Sequence, residues 1–231
     1  MLFKIREERQ SNGILMVLYG CELWANCTSD LQWKQIEKIK KRLITNKFKI
    51  KSSVPYVIML SEMGVVSIEA MAMVRLIRYL KRIEQMEEGR WPKVVFNDIL
   101  GKRKKTWMRQ NSKWLSKWDI YLNMCPTNSK EIKAFVIDKF HKCTWDKELG
   151  RKKKYYIDEF NPTCSHHQKA YIGANISWRA KILIAQLRTN SHQLRCEIGH
   201  WKRPKKAWEE RVCIFCNSGK GENRKTFHSR V

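Results

Sequence analysis

The chain has 231 residues, 43% of them apolar, enough to bury a core over one large or two small domains. Its 47 lysines and arginines outnumber 22 aspartates and glutamates, a net charge of +25 that solubility alone does not explain. Such an excess repels itself unless a polyanion neutralises it, so nucleic acid is the first expected partner and an anionic membrane surface the second. The longest apolar stretch, Ile14–Tyr19, falls far short of the about 20 residues that cross a bilayer. The opening MLFKIREERQ has no apolar core before small residues, so no signal peptide is expected. The eight cysteines then read as mostly free, buried thiols of an intracellular protein, nuclear or cytoplasmic.

In chain order the pattern is mainly helical. SNGILMVLYGCELWANC (11–27) is an apolar run that reads equally as helix or strand. TSDLQWKQIEKIKKRLITN (28–46) begins at an N-cap, Ser29 or Asp30, and Asn46 suits its end. Trp33, Ile36, Ile39 or Lys40, and Leu43 recur at helical spacing, leaving Lys34, Lys38, Lys41 and Arg42 outside. In SSVPYVIMLSEMG (52–64), Ser53 is the expected cap, Pro55 the first turn and Gly64 the left-handed stop. The stretch 66–86 is the clearest amphipathic helix, with Ile68, Met71, Ala72, Leu76, Tyr79, Leu80 and Ile83 in one stripe. Its methionines read as core filler, and Arg75, Arg78, Lys81 and Arg82 lie beside or opposite the stripe.

EEGRWPK (87–93) reads as a linker into a less regular second half. Helices are expected at 129–145 and at 176–190, the latter capped by Ser177. No internal repeat or low-complexity tail stands out.

Basic residues cluster at Lys38–Arg42, Lys102–Lys105, Arg151–Lys154 and Lys202–Lys206. Trp107, Trp114 and Trp118 follow the second cluster, and Trp201 and Trp208 flank the fourth. Cations neutralise phosphates while indoles stack on unpaired bases, the combination found in single-strand grooves. Taken singly, most of these tryptophans read as core residues; the summed charge reads as binding.

No catalytic set emerges. There is no phosphate-binding Gly-x-x-x-x-Gly-Lys loop, no Gly-x-Ser-x-Gly elbow and no His-Glu-x-x-His pair, and adjacent aspartates never occur. Cys164, His166 and His167 read as a surface loop, because adjacent histidines point to different faces. Cys213 and Cys216 have the C-x-x-C spacing of a zinc knuckle, set against two free thiols near the terminus.

Three separated blocks, in order, resemble LINE-type non-LTR retrotransposon reverse transcriptases. VLYGCELW (17–24) is similar to the Leu-Tyr-Gly-x-Glu-x-Trp signature that follows the polymerase palm. Residues 36–83 resemble the thumb and connection that come next, a basic helix, a Pro-led short helix ending in Glu-x-Gly, then a long helix opening on Ser-Ile-Glu. Residues 179–219 resemble the family's tail, where a helix ending in Leu-Arg leads through a basic link into Glu-Arg-x-Cys-x-x-Cys.

The resemblance implies an unmatched extension (1–13), a helical thumb-like domain (14–88), a basic helical connection (89–205) and a truncated knuckle-like tail (206–231). It implies a fragment that grips RNA or an RNA/DNA hybrid, thumb helices along the backbone, for the missing polymerase portion of the element. Candidate phosphate ligands are Lys38, Lys41, Arg42, Arg75, Arg78, Lys102, Lys104, Lys105, Lys202, Arg203 and Lys205, with Trp201 and Trp208 as stackers. Two departures follow. Where the family's knuckle goes on to His-Phe and a last cysteine, this chain has Thr226, Phe227 and Val231, with His228 two places late. Cys213, Cys216 and His228 thus make an incomplete, weak zinc site, completed by water, His200 or Cys196. The palm's Tyr-x-Asp-Asp carboxylates are missing, so no polymerase activity is expected of the chain alone. The alternatives are a non-functional retroelement relic, or a small reverse transcriptase or nuclease with unrecognised carboxylates.

Overall fold

The computed structural model describes residues 16–101, 107–147, 151–161, 169–189 and 191, and every regular element among them is helical. The expected mainly α architecture is what the chain adopts.

The described part of the ambiguous N-terminal run, residues 16–27, is helix and turn. Gly20 takes φ +61, a left-handed turn that L side chains rarely adopt, and this breaks the run before α1 (Cys21–Trp24). A 3₁₀ turn follows at Ala25–Cys27. Helix α2 (Asp30–Phe48) starts at a capping box: Gln32 N donates to Ser29 Oγ at 3.3 Å, and Ser29 N to Gln32 Oε1 at 2.8 Å. It runs two residues past the expected stop at Asn46. Lys49 takes the left-handed position at φ 53, and Ile50 N donates to Thr45 O at 3.2 Å. Burial of Ile50, rather than a glycine, holds that end.

Helix α3 (Tyr56–Met63) is capped by Pro55 and not by Ser53, with no side-chain bond at its start. Gly64, at φ 62, ends it as expected, with Val65 N donating to Leu60 O at 3.1 Å. All of α3 after Tyr56 is buried, the pattern of a helix at the centre of a fold. Helix α4 (Ile68–Glu84) is capped by Ser67 Oγ, which accepts from Ala70 N at 3.0 Å. Its expected stripe is buried except for the half-buried Met71 and the exposed Tyr79. Ala70, Met73, Val74 and Ile77 are buried as well, because α4 is covered by α1, α2 and α7 together.

Helix α5 (Trp91–Gly101) begins inside the stretch read as a linker; Pro92 in its first turn loses no hydrogen bond there. Helix α6 (Trp107–Ser116) closes on Asp119 at φ 56, where Ile120 N donates to Leu115 O at 3.3 Å and Lys139 pairs with Asp119 at 2.6 Å. A 3₁₀ turn at Leu122–Met124 and helices α7 (Ser129–Lys147), α8 (Arg151–Phe160), α9 (Ala170–Gly173) and α10 (Trp178–Arg188) complete the described elements; Ser177 caps α10 through Ala180 N at 3.2 Å.

These helices enclose two apolar cores. Leu18, Trp33, Leu76, Phe96, Trp114 and Val136 belong to the first, and Phe48, Ile58, Met63, Trp145, Tyr156 and Ala185 to the second. Each core takes residues from both sides of position 88/89, so residues before and after it pack together. Helices α2 and α7 supply both cores and tie them together. No single described helix is long and apolar enough to cross a membrane.

Candidate nucleic-acid interface

Helix α2 sorts its charges between two faces. Lys34, Lys38 and Arg42 stand at i, i+4 and i+8 on the exposed face, spanning about 12 Å along the axis, with Lys41 beside them. The helix has only two acids. Glu37 turns inward, where Tyr56 Oη donates to its Oε2 at 2.5 Å and Glu69 N to its Oε1 at 3.0 Å; burial pushes its carboxyl above the usual range. Asp30 sits in the first turn.

The basic run Lys38–Arg42 is split by this geometry. Lys40 is only 8% exposed and its Nζ donates to Val66 O, while Ile39 is 54% exposed. A lysine replaces an isoleucine in the core because its stem is apolar and its head finds a carbonyl and the nearby Glu37. Burial lowers the Lys40 pKa and Glu37 offsets part of that shift. Arg75 and Arg78 are likewise tied into the fold. Arg75 Nη1 donates to Leu18 O at 2.8 Å, and Arg78 Nη2 to Ser129 O at 2.6 Å, so these half-buried arginines lash the N-terminal segment and the start of α7 to α4.

A second cationic stripe lies on α6 and its C-terminal turn. Arg109, Lys113 and Lys117, again at i, i+4 and i+8, are exposed. Lys117 Nζ pairs with Asp30 Oδ1 at 2.8 Å, so the two stripes meet at the head of α2. Sequence reasoning missed these three residues. Their signal was the repeated Ser-Lys-Trp of SKWLSKW (112–118), in which each inward tryptophan turns the lysine before it outward.

The tryptophans of the region face the protein. Trp114 is buried and stacks on Trp33 at 5.8 Å, and Trp33 on Trp24 at 5.9 Å. Trp118 packs on Phe140 at 4.3 Å. Both indoles end on one oxygen: Glu69 Oε1 accepts from Trp114 Nε1 at 3.2 Å and from Trp118 Nε1 at 3.1 Å. Burial, reinforced by the charges of Glu37 and Asp30 and opposed by the two indole bonds, leaves the Glu69 carboxyl pushed up to about 7. Lys34, Lys38, Arg42, Arg109 and Lys113 form no ion pair with another described residue. These tryptophans are thus turned away from the two described stripes, which suits the stripes to phosphates rather than bases.

The other expected ligands, Lys102, Lys104, Lys105, Trp201, Lys202, Arg203, Lys205 and Trp208, lie outside the described residues, as do Cys213, Cys216 and His228. Among the described residues no three of His, Cys, Asp or Glu come together as a metal-holding group. No family model, no curated protein and no solved structure matches this chain.

Proposed function

We propose that the chain is a nucleic-acid-binding fragment of a LINE-type retrotransposon reverse transcriptase that grips RNA or an RNA/DNA hybrid by its phosphates. The observation that carries this reading is the pair of cationic stripes, Lys34–Lys38–Arg42 and Arg109–Lys113–Lys117, meeting at Asp30 while the nearby acids Glu37 and Glu69 are turned inward. The net charge of +25 and the resemblance of three ordered sequence blocks point the same way. Contact confined to phosphates positions a polynucleotide without reading its sequence. In this reading catalysis belongs to a palm elsewhere in the element, because the chain has no paired aspartates to hold two metal ions. The work is done inside the cell, in nucleus or cytoplasm.

The test is equilibrium binding of single-stranded RNA as salt is varied. Log affinity should fall against log salt with a slope of about −0.7 per phosphate neutralised, and Lys34→Gln/Lys38→Gln/Arg42→Gln should make that slope shallower by about 2. A triple variant with wild-type affinity and slope would falsify the assignment.

A further inference from the structure

A buried acid beneath two tryptophans is a costly way to fill a core, since an apolar side chain of the same size needs no partner. Here the acid has a directional job. Glu69 stands in the first turn of α4, where its own N–H is held by Glu37 Oε1 from the inner face of α2. Its side chain then accepts the indole N–H of Trp114 and of Trp118, one turn apart on α6 and the turn that follows it. A line of hydrogen bonds thus runs from α2 through α4 to α6. Each end of that line carries a cationic stripe on its opposite, outer face. Lys113 and Lys117 immediately precede the two clamped tryptophans, so fixing the indoles fixes the direction in which the lysines leave the helix.

We propose that Glu69 is a positioning residue of the nucleic-acid interface: its Oε1, shared by Trp114 and Trp118, holds the α6 cations in register with those of α2 so that one polynucleotide engages both stripes at once. This rests on the binding reading above. Two stripes held rigidly act as one site, because the second engages without a further loss of orientational freedom. If α6 is released, Lys113 and Lys117 keep their charge but lose their alignment, and fewer phosphates are neutralised together. The asymmetry between acceptor and charge makes the idea separable from mere packing. Glutamine at 69 still offers an oxygen to both indoles; leucine fills the space and offers none.

The experiment uses the full chain and a fluorescein-labelled single-stranded RNA of about 20 nucleotides, reading the slope of log affinity against log salt. Lys113→Gln/Lys117→Gln should make the slope shallower by about 1.4. Glu69→Leu should shift it in the same direction by a similar amount while keeping a cooperative melt, and Glu69→Gln should restore the wild-type slope. Should Glu69→Leu fail to fold, Trp118→Phe decides, since it removes one indole donor and keeps an aromatic ring on Phe140. Its slope should lie between wild type and the double-lysine variant. A folded Glu69→Leu or Trp118→Phe with wild-type slope overturns the proposal, as does a Glu69→Gln no better than Glu69→Leu, or a silent Lys113→Gln/Lys117→Gln. A silent Lys34→Gln/Lys38→Gln/Arg42→Gln overturns the binding reading instead, so the two failures are told apart.

Discussion

Arg188 Nε donates to Glu62 Oε1 at 2.6 Å, across 126 residues, and the Glu62 side chain is fully buried. Tyr156 Oη donates to the other carboxylate oxygen at 2.5 Å and Tyr171 Oη to Oε1 at 2.7 Å, so α8, α9 and α10 all end on one acid of α3. Burial first, then the Glu62 charge, raises both tyrosine hydroxyls far above their ordinary range, which keeps them protonated donors at any working pH. Arg188 also lies over the Phe160 ring, 4.6 Å from its centre.

Removing Glu62 strands three donors at once. Glu62→Ala should cost roughly 3–5 kcal/mol in urea unfolding, the range found when one partner of a buried ion pair is deleted. Arg188→Met in the Glu62→Ala background should cost far less than it does alone. Additive losses would mean that the pair is not coupled.

Glu69 and His141 act on stability with opposite signs. The Glu69 carboxyl is raised from 4.5 to about 7, so the native state holds a proton that the unfolded chain gives up; its stabilising contribution is present below pH 4.5 and is lost as pH rises through 7. The scale is about 3 kcal/mol. Glu69→Gln should therefore be more stable than wild type at pH 8 and should lose this downward slope. Thermal melts from pH 4 to 8 check it, and a wild-type slope in Glu69→Gln would show that Glu69 titrates elsewhere.

Burial lowers His141 from 6.5 to about 4, with Asp138 opposing. Its contribution is complete above pH 6.5 and is lost as pH falls through 4, the reverse dependence over nearly the same window. In the wild type the two largely cancel between pH 4.5 and 6.5. Glu69→Gln should then uncover stability that rises with pH, and His141→Leu stability that falls with it. Parallel shifts in the two variants would contradict this pairing.

What could be read from the chain, and what could not, follows from the range of the interaction. Ser29, Gly64 and Ser177 were legible because caps and left-handed stops depend on a few neighbouring residues. The stripe of α4 was legible because its period is local. Lys40 and Ile39 were not separable, since the choice turns on Val66 O, 26 residues away. Arg75 and Arg78 looked like phosphate ligands for the same reason: the carbonyls of Leu18 and Ser129 are 57 and 51 residues from them. The α6 stripe escaped notice because its lysines alternate with tryptophans, and the partners that hold the tryptophans inward, Trp33, Glu69 and Phe140, lie elsewhere in the chain. The linker at 87–93 misled for a different cause, Pro92 serving equally to start a helix or to break one.

The Asp30–Lys117 pair offers the last prediction. Both side chains are well exposed, 71% and 44%, so the pair contributes about 0–1 kcal/mol to the fold. In the proposed binding mode its position matters more than its strength: Asp30 is the described acid that joins the two cationic stripes, and it would compete with phosphate for Lys117. Asp30 also faces the positive end of α2, an effect of about 0.3–1 kcal/mol that asparagine forgoes. Asp30→Asn should therefore melt slightly lower yet bind single-stranded RNA more tightly at low salt, because phosphate no longer has to displace Asp30 from Lys117. The capping box of Ser29 and Gln32 is untouched by the change, which keeps the helix start intact. Tighter binding with a lower melting temperature separates a gain at the interface from a general stabilisation. Unchanged affinity at low salt would place the junction of the stripes outside the contact.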